Sequence, residues 1–238
     1  SLLILFGLAL PLGWLIHLGW AGDHDIARLV SGARNALGIG VVAALVTTLL
    51  ATVVALGTRH DRFLPRLLSL GYATPGAVMA IGLLAPAALI WRAFPSTASS
   101  VLMALTLMVL AYAARLMAAA LEPIDAGLQR VGSSVGAAAR TLGEDAIGAA
   151  RRVDLPIASG ALFTAALLVF IDVLKELPAT MILRPFGFDT LAVMADYYAK
   201  DERLGEAAWP SLVIVLVALP AVLWLTRRVS HSRPGDPT

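Results

Sequence analysis

The sequence predicts an all-α, polytopic membrane protein, and three observations carry that prediction. Of the 238 residues, 59% are of apolar type and only 14% are charged. Mean hydropathy is +0.83. The apolar residues also gather into six runs. An average soluble domain is about 45–50% apolar and about 25% charged, so a soluble globular enzyme and a disordered chain are both excluded. The roughly 140 apolar residues exceed the roughly 120 that six crossings of about 20 residues each require.

The runs cover residues 2–20, 35–57, 67–91, 100–120, 157–177 and 207–226. Each is long enough to cross a hydrocarbon core of about 30 Å at about 1.5 Å per residue. Pro11, Pro75, Pro86 and Pro220 fall inside them. A proline there removes a helix hydrogen bond and invites a kink, which neighbouring helices can compensate. Kinked spans suit a bundle with an internal path.

Orientation follows from Lys and Arg. The segment before residue 67, the stretch 115–156 and the tail after 226 share one side and hold 11 of these residues, against 7 on the other. The richer side is expected to be cytoplasmic. Trp14, Trp20, Trp91, Trp209 and Trp224 fall toward span ends, where interfacial anchors belong. The net charge of +2 reflects these loops, since no basic stripe with interleaved aromatics marks a nucleic-acid surface. Cysteine is absent, which removes disulfides, thiolate metal sites and cysteine nucleophiles. The chain starts at Ser1 inside an apolar run, so it reads as an excerpt of a longer protein.

The 36 residues of 121–156 exceed an ordinary helix–helix turn. Within them Val135, Ala139, Leu142, Ala146, Ala150 and Val153 recur at spacings of 4, 3, 4, 4 and 3, an amphipathic helical stripe. Gly143 permits a sharp turn in its middle, and Leu155-Pro156 is expected to end the segment before the next span. Two short helices meeting at a glycine would make a compact cytoplasmic knob.

Ala137-Ala138-Ala139, three residues, Gly143, nine residues and then Val153-Asp154-Leu155-Pro156 resemble the coupling loop of ABC importer permeases. That family pattern reads E-A-A, three residues, G, nine residues, I-x-L-P. Ala137 stands where the family has Glu, and Val153 replaces Ile. The resemblance implies that this loop docks in a cleft of a separate ATP-hydrolysing subunit. A second set of motifs resembles the ferric-iron branch of these permeases: Lys175-Glu176-Leu177-Pro178-Ala179-Thr180, Leu183 to Ala192, Asp201 to Ala208, and Thr74-Pro75-Gly76-Ala77-Val78. Members of that branch are often two fused halves, and this chain is expected to be the second.

In the fifth run Asp172, Lys175 and Glu176 stand at i, i+3 and i+4, one face of a predicted helix. They lie toward its outer end, where they either line a translocation path or form a self-paired interfacial cluster. The family resemblance favours the path, with Pro178 and Thr180 continuing it. Pro178 breaks the helix and frees carbonyls that need protein or water nearby. In the outer segment beyond, a turn at Pro185-Phe186-Gly187 precedes a short helix that Asp189 could cap. Asp196 and Lys200 form an i, i+4 pair there, and Tyr197 and Tyr198 suit an interface.

No P-loop occurs, because Lys175 and Lys200 follow Leu174 and Ala199, and no zinc-protease or nucleophile-elbow motif occurs. The prediction is therefore a six-helix, type-1 ABC importer permease domain over residues 1–230, with a cytoplasmic tail at 231–238 and no catalytic, metal or cofactor site of its own. The resemblance implies several partners. They are an ATPase that holds ATP-Mg, a periplasmic or lipid-anchored substrate-binding protein, and a second permease half, all at a bacterial inner membrane. Iron(III) is the expected cargo; thiamine, polyamine, sulfate or phosphonate are alternatives within the family. An ion-coupled secondary carrier, with Asp172 and Glu176 relaying protons, is the alternative outside it.

Overall fold

The computed structural model describes residues 5–22, 25–58, 63–93, 97–130, 143 and 145–231. Among them every regular element is helical. A π turn, Leu5–Ala9, leads into α1 (Leu10–Ala21), followed by α2 (Ile26–Gly57), α3 (Phe63–Ser69) with a 3-10 turn (Leu70–Ala73), and α4 (Gly76–Ala93). Then come α5 (Thr97–Gln129), α6 (Ala146–Ala149) with a π turn (Ala150–Asp154), α7 (Leu155–Leu174), α8 (Pro178–Leu183), α9 (Leu191–Lys200) and α10 (Leu204–His231).

Among the described residues each predicted run overlaps a helix, but the six-span count is not reached by helix length alone. Four stretches are long and apolar enough to cross a membrane: Ile26–Gly57, Ser99–Gln129, Ala146–Leu174 and Leu204–Arg227. The third run is broken. Phe63–Ala73 and Gly76–Arg92 meet at 107°, and make a fifth crossing only if the bent pair counts as one. The first run is the shorter helix Phe6–Trp20, whose 15 residues reach about 22 Å of a core about 30 Å thick. Of the four prolines expected to kink spans, Pro75 sits at this large bend, whereas α4 and α10 continue through Pro86 and Pro220.

Local chemistry sets several helix ends. Asp25 caps α2 by accepting from Arg28 N at 3.0 Å, and Asp145 caps α6 by accepting from Gly148 N at 2.6 Å. Such caps satisfy N–H groups that have no carbonyl one turn earlier. The two described ends of the 121–156 segment are helical. α5 runs on to Gln129, and α6 passes through its π turn into α7 without a stop. Leu155-Pro156 therefore does not end the segment. Pro156 has no N–H, and the wider turn just before it accommodates the lost bond. Ala137, Ala138 and Ala139 lie outside the described residues. Gly143 adopts φ +92, a backbone region that residues with a Cβ avoid; the residues on either side of it, where the two expected short helices would meet, lie outside the described residues.

α2, α5 and α7 form the centre of the bundle. Ala43, Ala44, Ala51 and Ala55 of α2 pack against Met108, Tyr112, Leu116 and Ile124 of α5 and against Ala158, Ala165 and Val169 of α7. Small residues let the backbones approach, which is what drives helix association where lipid is as apolar as the side chains. Large apolar residues such as Leu49, Leu102, Phe163 and Leu216 point outward. In a water-soluble protein so much exposed apolar surface would aggregate; in a bilayer it meets acyl chains. α9 and α10 pack beside this centre with α1, which Trp209 Nε1 ties down by donating to Gly19 O at 3.0 Å.

Candidate functional site

The site forms where two broken helices face each other. α7 stops at Leu174 because Pro178 has no N–H to offer the Leu174 carbonyl, and Glu176 N closes a tighter turn onto Val173 O at 3.0 Å. That turn rotates Glu176 away from Lys175. The expectation that Asp172, Lys175 and Glu176 share one helix face is therefore not met. Lys175 pairs with Asp172 at 2.8 Å on the surface, with side-chain exposures of 66% and 26%. Glu176 points inward and is only 7% exposed.

Once inside, the Glu176 carboxylate is held from two sides. Oε1 accepts from Ala179 N, in the first turn of α8, at 3.3 Å, and Oε2 accepts from Arg115 Nη1 of α5. The Thr180 hydroxyl donates to Glu176 O at 2.7 Å. Its proton being committed there, the Tyr112 hydroxyl donates to Thr180 Oγ1, at 2.6 Å. Tyr112 and Thr180 are each about 1% exposed, so this chain of hydrogen bonds is shielded from solvent. Pro178 opens α8 on the exposed side.

The second break, between α3 and α4, closes over this junction. A Cβ at Gly76 would lie 2.6 Å from Glu176 Oε1 and 3.5 Å from Ala179 N, and a Cβ at Gly71 would strike the Ala114 carbonyl oxygen. Glycine at both positions is what allows the bent pair to lie directly on Glu176 and on the residue before Arg115.

Arg115 and Tyr112 were not anticipated from the sequence. Arg115 had been counted among the cytoplasmic charges, yet it is an interior residue of α5, 14 residues or about 21 Å before Gln129. The orientation count on the richer side thus falls by one, to 10 against 7, and keeps its sign. The available signal was a single arginine inside an apolar window. A lone charge at mid-bilayer costs about 2.5–3.5 kcal/mol on insertion scales, so it demands a carboxylate partner from another span.

A second polar cluster lies near the start of α2 and the turn before α9. Arg184 Nη1 donates to Asp189 Oδ1 at 2.5 Å and Nη2 to Tyr197 OH at 2.5 Å, while Arg28 Nη2 reaches Asp189 Oδ2 at 3.4 Å. Asn35 Nδ2 donates to the Asp189 carbonyl at 3.0 Å. The helix cap expected of Asp189 is made by Thr190, whose hydroxyl accepts from Val193 N at 3.5 Å. Asp189 is instead taken up by the two arginines. The Asp196–Lys200 pair forms as expected, at 2.6 Å. Tyr198 lies between Arg28 and Arg203, whose guanidinium carbons stand 5.6 and 5.1 Å from its ring centre. Among the described residues no group of three or more His, Asp or Glu side chains converges as a metal site would.

No protein-family model matches the chain. Among curated proteins it is similar to the Fe(3+)-transport system permease protein FbpB 2 of Haemophilus influenzae, with 28% identity over 211 residues. That match takes in 85% of this chain but 40% of the relative, so the chain spans well under half the length of the protein it matches. The chain is an all-α, multi-pass membrane protein homologous to an iron(III)-transport permease, in keeping with the branch that its motifs resemble.

Proposed function

We propose that this chain is the membrane-embedded permease part of a binding-protein-dependent ABC importer that carries iron(III) inward across a bacterial cytoplasmic membrane. The observation that carries the reading is the similarity to an Fe(3+)-transport system permease along 85% of the chain. The architecture agrees with it: apolar helices surround a buried polar junction at two helix breaks, the arrangement expected where irregular backbone lines a path and not lipid. In this reading a partner subunit hydrolyses ATP-Mg and docks on the cytoplasmic segment from Ala137, Ala138 and Ala139 through Gly143 to Val153, Leu155 and Pro156. A periplasmic or lipid-anchored protein delivers the cargo, and a second permease half completes the passage. Glu176 and Thr180 stand at the gate, with Asp172, Lys175 and Pro178 on its outer flank.

The test is uptake of radiolabelled iron(III) into vesicles holding the permease with its ATPase and binding protein. ATP-dependent accumulation is expected. Uptake that ignores ATP and follows a proton gradient would overturn the ABC reading in favour of an ion-coupled carrier. Gly143→Val sharpens the result. Among the described residues a Cβ there meets nothing, so within this chain the effect comes from the positive φ, which costs a residue with a Cβ about 1–2 kcal/mol; in the assembled transporter the added side chain also bears on the docking surface. The variant is expected to remain in the membrane while ATP hydrolysis loses its response to cargo.

A further inference from the structure

We propose that the two facing helix breaks form a movable gate, latched by the Arg115–Glu176 ion pair, with Arg115 as its positioning residue. This rests on the transport reading above and adds to it the closing contact and the moving parts.

Four observations support a latch that opens over a fixed staple. First, two discontinuities face each other, the bend before Gly76 and the break after Leu174, each a place where backbone angles change without disturbing a continuous helix, and the ion pair ties the second of them to α5. Second, the elbow bears on the junction through glycine: Gly76 against Glu176 and Ala179, Gly71 against the Ala114 carbonyl. Neither glycine adds a side chain to the contact, so nothing interlocks at these two points, while Leu68, Ala80 and Leu83 of the elbow pack on the same apolar cluster as Ala179 and Leu183. Third, Arg115 is used incompletely. Nη1 holds Glu176, the buried Nε has no hydrogen-bond partner, and 29% of the side chain is exposed. A guanidinium serving only as a staple would be expected to spend more of its five donors. Fourth, Arg115 sits on a lever. α5 is unbroken from Arg115 to Gln129, and at Gly127 it lies directly on Ala158 and Ala161 of α7, next to the π turn that follows Gly143. A displacement at the cytoplasmic segment is thereby transmitted along α5 to Arg115, while α7 and α8 carry Glu176.

When the latch parts, Glu176 and Thr180 lose their shield and face the passage. Arg115 touches no cargo in the closed state; it acts through Glu176.

The natural chain has no cysteine, so introduced thiols are unique. A Cβ at Gly76 would stand 3.6 Å from the Ala179 Cβ, within the disulfide range of about 3.5–4.5 Å. In the intact transporter, oxidised Gly76→Cys/Ala179→Cys is expected to lose at least tenfold in iron(III) uptake and to regain it with reductant. Oxidised protein that transports within twofold of the reduced form overturns the gate. Because a thiol at Gly76 crowds Glu176, Ala179→Cys alone gives an independent reading. Ala179 is 1% exposed, so labelling by a membrane-impermeant maleimide is expected to be slow at rest and at least tenfold faster with ATP. An unchanged rate overturns the proposal. This second arm reads labelling and not uptake, so it reports on the gate even if the unmodified transporter carries no iron(III), the result by which the substrate reading fails on its own.

Discussion

Two arginine–carboxylate pairs in this chain have the same chemistry and opposite settings. Arg115–Glu176 joins residues 61 positions apart on different helices, and its carboxylate is 7% exposed. Arg184–Asp189 joins residues five positions apart, with side-chain exposures of 16% and 24%, and shares its charge with Arg28 and Tyr197. Among the described residues the inner carboxylate has a single cationic partner and the outer one has two. A buried charge that loses its one countercharge keeps most of the desolvation penalty, whereas a member of a partly wet network loses one contact among several. The inner pair therefore governs whether the junction exists, and the outer one trims its surroundings.

The strongest way to break this contrast is Arg115→Met. It strands the Glu176 carboxylate and is expected to destabilise the protein by about 3–5 kcal/mol, read by denaturant titration in detergent. Adding Glu176→Gln is expected to recover most of that loss. Recovery failing in the double variant would mean that Arg115 matters for its bulk and not its charge. Next is Tyr112→Phe, which deletes the donor to Thr180 Oγ1 but leaves the Thr180 bond to Glu176 O; a loss of about 0.5–1.5 kcal/mol is expected by the same titration. In the outer cluster Asp189→Asn is expected to cost below about 1 kcal/mol, because Arg184 keeps Tyr197 and the Asp189 carbonyl keeps Asn35. A loss as large as that of Arg115→Met would erase the distinction between the two settings. The smallest change is Lys200→Ala, which removes an i, i+4 pair with a 66% exposed ammonium. About 0.3–0.5 kcal/mol is expected, and added salt should shrink it further.

What could be read in the sequence divides along the same line. Helix positions are local matters of apolar length and proline placement, and every run overlaps a helix among the described residues, the third across a bend and the fifth past its helix end. Asp196 and Lys200 are four apart on one short helix, and periodicity alone pairs them. The junction was half legible. Glu176, Pro178 and Thr180 stood out from their motif, but Glu176 was assigned to the face of Asp172 and Lys175 because the helix was carried past Leu174. The α7 terminus depends on a carbonyl left without a donor by Pro178, a backbone effect that side-chain periodicity does not register. The 107° bend and the meeting of Arg115 with Glu176 depend on how separate spans pack, which no local pattern encodes. Asp189 was misread for a related reason: cap preference is shared by Asp and Thr, and the choice of Thr190 follows from two arginines that claim Asp189.

The long separation within the inner pair has a consequence for biosynthesis. Arg115 emerges from the ribosome 61 residues ahead of Glu176, so α5 is presented to the insertion machinery with its arginine still alone. On translocon scales that residue opposes insertion by up to about 2.5–3.5 kcal/mol near the helix centre. The remaining apolar length of Ser99–Gln129 must hold the helix in place until α7 arrives. Until the Glu176 segment has been made, that apolar length is all that offsets the unpaired arginine; the ion pair is available only afterwards.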